Sequence, residues 1–164
     1  MFKCRLPYTP KLKAMTKTKQ PFWETKTLKE MSEKEWESLC DGCAKCCLNK
    51  LEDEETEEVF FTRVVCRFLD EEKCRCTVYE ERTTLEPMCI KLEPGNFENI
   101  KWMPNTCAYR LLNEGKPLPL WHPLITGSRK AMVANDQTVT GKVVSEEFVH
   151  PDGFEEHIID WASH

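Results

Sequence analysis

Four thiols crowd into the stretch LCDGCAKCC, residues 39–47. Two residues separate each of Cys40, Cys43 and Cys46, and Cys47 follows with no gap. Short gaps lower the entropy cost of bringing thiolate ligands together at a metal site. The spacing C-x2-C-x2-C also matches the first three ligands of the bacterial ferredoxin run, which hold an iron–sulfur cluster. The stretch therefore predicts a metal site that fastens the fold together.

The adjacency of Cys46 and Cys47 departs from the ferredoxin spacing. Neighbouring side chains diverge in helices and strands, so we expect these two thiols to serve two sites or one larger cluster. Nine of the ten cysteines lie between residues 40 and 107, enough for two four-thiolate sites with one left over. The candidate metal ligands are Cys40, Cys43, Cys46, Cys47, Cys66, Cys74, Cys76, Cys89 and Cys107.

The spacing leaves the division of these cysteines between sites open. One partition joins Cys40, Cys43 and Cys46 to either Cys89 or Cys107. Cys47 then joins the remaining ligands Cys66, Cys74 and Cys76. Exchanging Cys46 and Cys47 gives the alternative. We expect Cys4, and any core cysteine left over, to act as a small hydrophobic side chain.

The composition predicts one α+β domain. The chain has 164 residues, of which 40% are hydrophobic and 31% charged, as in ordinary globular proteins. No apolar run reaches the roughly 18–20 residues of a membrane span, so no membrane partner is expected. Residues 1–20 are basic without a signal-peptide core. We therefore expect a cytoplasmic protein, whose thiols stay reduced.

Charge divides the chain into two parts. Residues 1–21 form a basic arm that we expect to be flexible, and residues 22–164 form the cysteine-cluster metal-binding domain. Outside the first twenty residues there are 17 basic and 28 acidic side chains, a balance of −11. Nucleic-acid binding depends on clustered Lys and Arg, so no nucleic-acid partner is predicted.

Local patterns predict a capped helix and a β-hairpin. Ser32 and Glu35 form a capping-box pattern, with Met31 packing on Trp36, and the helix should begin near residue 33. Residues 52–58, EDEETEE, favour a solvated loop or an exposed helix face. Two β-rich runs flank the turn at 70–73, which predicts a hairpin. Its first strand would carry Cys66, and its second would open with Cys74 and Cys76.

The C-terminal half gives weaker patterns. We expect a short helix that ends near Gly115, a strand at 137–144 and an amphipathic helix at 155–161. His122 is the one histidine considered as a ligand or acid–base group, against the alternative of a satisfied core residue. Nucleotide-binding and hydrolase motifs are absent from the sequence.

The cysteine pattern resembles the YkgJ-type CxxCxxCC cysteine-cluster family, and in particular its YcgN branch. The family pattern continues as Cys66-x-x-Leu69, Cys76-x-x-Tyr79-x-x-Arg82 and Pro87-x-Cys89. Two departures are Thr83, where the family has proline, and the shorter gap before Cys89. WESLCDGCAKCC, TCAYRLL and LPLWHPLITG are features of the branch, and the resemblance spans residues 22–161. It implies binding of zinc or iron in a bacterial cytoplasm, with no assigned role.

Together, the residues and the resemblance favour an iron–sulfur cluster with a redox or enzymatic task. The absence of paired histidines supports this interpretation. One alternative is a zinc-stapled interaction module, in which bound Zn²⁺ holds the fold together. Another is a metal carrier or thiol sensor. Metal ions are the expected partners, while a protein partner, a substrate and enzymatic activity stay open.

Overall fold

A computed structural model of the protein describes residues 20–95, 97 and 100–162. Its helices are α1 (Phe22–Thr25), α2 (Glu33–Ser38), α3 (Arg82–Leu85), α4 (Ala108–Asn113), α5 (Pro123–Thr126) and α6 (Lys130–Ala134). Its strands are β1 (Leu48–Glu52), β2 (Val59–Val65), β3 (Leu69–Asp70), β4 (Arg75–Cys76), β5 (Val144–Ser145) and β6 (Ile158–Ile159). Short 3-10 turns lie between them, including Lys45–Cys47 and Pro151–His157. These elements make an α+β domain, as the composition predicts.

Strand β2 is the centre of the larger sheet. Its valine- and phenylalanine-rich sequence suits a strand with both faces covered, and Val64 and Val65 are fully buried. β1 pairs with it antiparallel, with a register shift between Leu48 and Lys50. On the opposite edge β2 pairs in parallel with β5 and antiparallel with β6. The sheet thus joins three distant parts of the chain.

The predicted hairpin forms, but it is smaller than expected. β3 and β4 pair antiparallel through two residues each, and Asp70 accepts a hydrogen bond from the Lys73 amide at 2.9 Å. The first β-rich run belongs mainly to β2, whose principal partner is β1. Cys66 therefore lies just after β2, because a turn closed by the Leu69 amide and the Cys66 carbonyl (3.0 Å) separates β2 from β3.

Two hydrophobic clusters form the core. The helix cluster packs around α2 and α4, and the Tyr109 hydroxyl donates to the Trp36 carbonyl at 2.9 Å. Its buried members are Leu28, Met31, Trp36, Leu39, Ala108, Tyr109 and Leu118. The sheet cluster lies on the sheet and the hairpin. Its buried members are Ala44, Leu48, Phe61, Val65, Leu69, Cys74, Val139 and Ala162.

The capped helix is confirmed, and two later predictions are wrong. α2 begins at Glu33 with the full Ser32 and Glu35 capping box, and α4 ends shortly before Gly115. The stretch 137–143 is not a strand, because the Val139 amide bonds the Cys43 carbonyl at 3.2 Å instead of a neighbouring strand. The predicted helix at 155–161 is a 3-10 turn followed by β6, because Ile158 and Ile159 pair with β2.

Several expectations concern the chain ends and the acidic run. Residues 53–58 form the exposed loop that the sequence predicts. The predicted basic arm lies almost entirely outside the described residues, as does Cys4, so the domain boundary stays a prediction. Within the described residues, no helix has the length and apolarity needed to cross a membrane.

The capping box should contribute measurably to stability. Ser32 Oγ accepts from the Glu35 amide at 3.3 Å, and Glu35 Oε2 accepts from the Ser32 amide at 2.9 Å. We expect Ser32→Ala to lower the free energy of unfolding by about 1 kcal/mol in denaturant titrations.

Ser38→Ala is the matched control for this prediction. The Ser38 hydroxyl donates to the Glu35 carbonyl at 2.7 Å within the same helix but caps no amide. We expect a change of less than about 0.5 kcal/mol for this variant. An equal loss in both variants would show that the capping box does not stabilise the helix.

Candidate metal centre

The first cysteines lie on an irregular loop between α2 and β1. An aspartate turn begins it, in which Asp41 Oδ1 accepts from the Cys43 amide at 2.9 Å. Gly42 and Ala44 both adopt left-handed backbone conformations, with φ of +74° and +62°. These residues stop the helix from continuing, since left-handed residues cannot extend a right-handed helix. The loop then closes in the 3-10 turn Lys45–Cys47.

One cavity of about 560 Å³ collects most of the thiols. It lies between the two core clusters, with Leu39 and Tyr109 on one side and Leu48 and Leu69 on the other. The cysteines that line it are Cys40, Cys43, Cys46, Cys47, Cys66, Cys76, Cys89 and Cys107. Eight of the nine predicted ligands therefore share one cavity, although they come from five separate segments of the chain.

We propose a first cysteine set, Cys40, Cys43, Cys46 and Cys107, whose charges act on one another. Burial, followed by the nearby charge of Cys46, raises the pKa of Cys40 to about 12. The same two causes raise the pKa of Cys107 to about 12. Burial, then the charges of Asp41 and Cys46, raises the pKa of Cys43 well above its usual value. Of the two distant partners left open by the spacing, we propose that Cys107 joins this set; the Cys46 charge also raises the pKa of Cys89.

The remaining cavity cysteines form a second cysteine set, Cys47, Cys66, Cys76 and Cys89. The Cys66 amide donates to the Cys47 carbonyl at 3.0 Å, which ties the end of β2 to the 3-10 turn. Burial is the main cause of the raised pKa of Cys66 and of Cys89. The charges of Glu146 and Glu86 come next at Cys66, the charge of Cys46 comes next at Cys89, and the charge of Cys76 adds to both. We propose that Cys89, rather than Cys74, completes this set, because Cys89 lines the cavity and Cys74 does not.

Cys46 and Cys47 meet where the two sets join. Their Sγ atoms are 4.0 Å apart, and a hydrogen bond between them lowers the pKa of Cys46 and raises that of Cys47. The expectation that these side chains point apart is therefore wrong. It assumed helix or strand geometry, whereas the turn after the left-handed Ala44 leaves both thiols at the same cavity.

Cys74 lies outside the cavity, contrary to its expected place beside Cys47. It has a left-handed φ of +51° and is buried in the sheet cluster. Its Sγ is 3.1 Å from the Thr140 hydroxyl. The side chain at Cys74 thus turns into the core while Cys76, two residues later, faces the thiols. Cys74 is the left-over cysteine that the count of nine anticipates.

His122 is a satisfied core residue. It is fully buried, its Nδ1 accepts from the Leu124 amide at 3.2 Å, and its Nε2 lies 3.2 Å from the Leu39 carbonyl. Burial lowers its pKa. Both ring nitrogens are occupied by the backbone, so the histidine braces the helix end that leads to Cys40. These contacts fit the role of a hydrogen-bonded core residue and not that of a ligand or acid–base group.

Lys50 is a cavity residue that the sequence patterns do not single out. Its Nζ donates to the carbonyls of Cys46 (2.9 Å) and Leu48 (2.6 Å), one on each side of Cys47. The ammonium also lies 5.2 Å from the centre of the Phe61 ring. The register shift between Leu48 and Lys50 turns the side chain back onto this turn. The amino group is thereby held next to the thiols; burial lowers the pKa of Lys50, and the thiolate charges of Cys46 and Cys47 raise it.

The donor atoms are spread around the cavity wall. Within the described part of the chain, one trio of potential ligands has its donor atoms within 4.8 Å of one another, namely Cys66, Glu86 and Glu146. Arg67 already pairs with both carboxylates, at 3.2 and 3.6 Å. Four thiolates on a single zinc ion would be about 3.8 Å apart. Within the described residues, Cys46 and Cys47 approach this spacing, with their sulfurs 4.0 Å apart, but no three thiols do so together.

Comparison with known proteins agrees with this chemistry. The CxxCxxCC family, described as "Putative zinc- or iron-chelating domain", matches residues 39–108. A UPF0260 protein of Cronobacter sakazakii is 54% identical, covering 88% of this chain and 99% of the relative. The chain belongs to the UPF0260 family.

Other members of this family are similarly close. A UPF0260 protein of Parvibaculum lavamentivorans is 50% identical over 90% of this chain and 96% of its own length. The UPF0260 protein YcgN of Shigella boydii is 52% identical over 88% of both chains. No solved structure matches the chain. The resemblance to the YcgN branch is confirmed, and the family description supports metal binding.

The two cysteines of the hairpin provide a matched test of the cavity. We expect Cys76→Ser to lose at least half of the bound metal, because it removes one of eight thiols from the cavity. Cys74→Ser should keep the full metal content, since its hydroxyl can still bond Thr140 outside the cavity. Metal analysis of both purified variants measures the difference. Equal loss from both, or loss from Cys74→Ser alone, would contradict the division of the cysteines.

Proposed function

We propose that this protein binds two iron–sulfur clusters, one in each cysteine set, and serves in electron transfer or redox chemistry in the cytoplasm. The observation that carries the proposal is the convergence of eight thiols on one cavity. Four-cysteine ligation is the usual way in which proteins hold such clusters. The eight cavity cysteines therefore provide enough ligands for two clusters without any other residue.

The spacing of the thiols supports iron–sulfur clusters over single zinc ions. A polynuclear cluster carries its thiolates on separate iron atoms, so it accepts sulfurs that lie further apart than those around one zinc. Among the described residues, no three of the cavity thiols lie within 4.8 Å of one another, an arrangement that a cluster accommodates more readily than one zinc ion does. When bound, a cluster would supply one-electron redox chemistry, and the protein would supply ligands, burial and the Lys50 charge.

Burial of the thiols supports a cationic occupant of either kind. Burial and mutual repulsion raise the pKa of most of the cavity cysteines, which keeps them protonated until a cation replaces the protons. A metal centre removes this penalty by stabilising the thiolates. Metal binding should therefore release protons and hold the two core clusters together.

A zinc-stapled interaction module is the second candidate. The position of the cavity between the helix cluster and the sheet cluster favours it, since a structural metal there would replace part of a small core. Two zinc ions would bind the same eight thiols, provided that the sulfur atoms of each set move closer together on binding. The two candidates differ in metal content and colour, and one preparation distinguishes them.

Anaerobic purification with metal analysis tests the proposal directly. We expect a brown protein whose visible absorption bleaches on reduction, with about four to eight iron atoms per chain and a similar amount of acid-labile sulfide. Exposure to air should reduce the colour and the sulfide together. A colourless protein with about two zinc ions per chain would refute the iron–sulfur proposal and favour the zinc module.

Lys50 should raise the reduction potential of the bound clusters. Its ammonium is held by the Cys46 and Leu48 carbonyls beside the cavity, and reduction adds negative charge there. We expect Lys50→Met to lower the midpoint potential in a spectroscopic redox titration, with Lys50→Arg closer to the unaltered protein. Identical potentials in all three proteins would show that the Lys50 charge does not act on the clusters.

A further inference from the structure

Arg129 lies outside the cysteine pattern, but its guanidinium reaches the cysteine loop, residues 39–48. The residue is half-buried and directly precedes α6, where its carbonyl accepts from the Val133 amide at 3.0 Å. Met132 in the same helix is fully buried, so the backbone at Arg129 is anchored in the core. The family match covers residues 39–108. The family pattern therefore gives this arginine no role.

The guanidinium joins two segments that carry cysteines. Nη2 donates to the Gly42 carbonyl at 2.7 Å, and Nη1 donates to the Lys73 carbonyl at 3.1 Å. These carbonyls lie 87 and 56 residues away in the sequence. Gly42 directly precedes Cys43 in the cysteine loop. Lys73 belongs to the hairpin turn that leads to Cys76. One side chain thus connects a segment of the first cysteine set with a segment of the second.

The guanidinium also packs directly on the cysteine loop. A Cβ atom at Gly42 would lie 3.5 Å from both Cζ and Nη2 of Arg129. Nε of Arg129 is buried without a hydrogen-bond partner among the described residues, and so is Oδ2 of Asp41, the residue before Gly42. The two carbonyl bonds, rather than an ion pair, therefore hold the guanidinium in place. Hydrogen bonds from a charged donor are stronger than those from a neutral one.

Arginine suits this position better than lysine. A guanidinium presents five N–H donors in a rigid planar fork, so one group can bond two carbonyls at a fixed separation. A lysine ammonium is a compact charge on a flexible stem and does not fix that separation. The fork geometry is therefore the property that the two contacts use.

The competing explanation is that other contacts hold the two segments without Arg129. The Val139 amide donates to the Cys43 carbonyl at 3.2 Å. The Thr140 hydroxyl donates to the Glu71 carbonyl in the hairpin turn at 3.3 Å. Residues 139–140 thus form a second connection between the cysteine loop and the hairpin, and an experiment must separate the two.

We propose that Arg129 is a positioning residue of the metal centre, whose guanidinium sets the separation between the segments that carry Cys43 and Cys76. The proposal rests on the metal-binding function proposed above, and it places a determinant of that function outside the cysteine pattern. Arg129 bonds the backbone beside these cysteines, so it acts through them. Loss of groups that orient metal ligands commonly weakens metal binding by about tenfold to a hundredfold.

Release of bound iron or zinc to a colorimetric chelator tests the proposal on the anaerobically prepared full chain. We expect Arg129→Ala to release its metal about tenfold faster than the unaltered protein, or faster still. Guanidinium chloride at millimolar concentration should restore slow release, because the free ion can bond the same two carbonyls. Ammonium chloride at the same concentration should not restore it. A general loss of stability would respond in the opposite way, since guanidinium weakens folded proteins.

Two further variants complete the test. Arg63→Ala is the matched control, because the Arg63 guanidinium donates to His157 Nδ1 at 2.8 Å in an exposed contact. We expect it to release metal at the unaltered rate. Arg129→Lys keeps the charge and loses the fork, so its release should be faster than that of the unaltered protein. This variant decides the question should Arg129→Ala fail to fold, and release at the unaltered rate would then overturn the proposal.

The outcomes separate this inference from the proposed function. Equal release from Arg129→Ala and Arg63→Ala would overturn the positioning role and leave metal binding intact. Faster release from Arg129→Ala that guanidinium does not slow would overturn that role as well. Absence of metal from the unaltered protein would overturn both proposals.

Discussion

Eight thiols line one cavity between two small hydrophobic clusters, and thiolates crowded there are favourable only when their charge is compensated. A protonated thiol packs as a modest hydrophobic group, whereas a buried thiolate needs a cation close by. Most of the cavity cysteines have raised pKa values, which is the expected result of crowding acids in a partly buried space. Residues of the helix cluster and of the sheet cluster both line the cavity, so a bound metal there would link the two clusters.

The loop from Leu39 to Leu48 connects these two clusters. Leu39 is buried in the helix cluster, and Ala44 and Leu48 are buried in the sheet cluster. Between them, the Asp41 turn and the left-handed residues Gly42 and Ala44 bend the backbone around the cavity. The loop thus anchors both halves of the core and carries four of the eight thiols.

Sequence patterns predicted the local features well and the long-range ones less well. The capping box fixed the start of α2, because Ser32 and Glu35 act within one turn of helix. Eight of the nine cysteines singled out by their spacing line the cavity, but spacing could not show that Cys74 turns into the core. That direction follows from the left-handed backbone at Cys74 and its contact with Thr140, 66 residues away. Likewise, pairing of Ile158 with β2 overrode the helical pattern at the C-terminus.

The contact between Cys46 and Cys47 makes the two cysteine sets interdependent. The Cys46 charge acts on Cys40, Cys43 and Cys107 in its own set and on Cys47 and Cys89 in the other. A cation that neutralises Cys46 therefore removes repulsion from both sets at once. Lys50 lies at the same junction, with its ammonium bonded on either side of Cys47. Filling one set with metal consequently changes the electrostatic environment of the other, and the adjacent cysteines are the residues through which that effect passes.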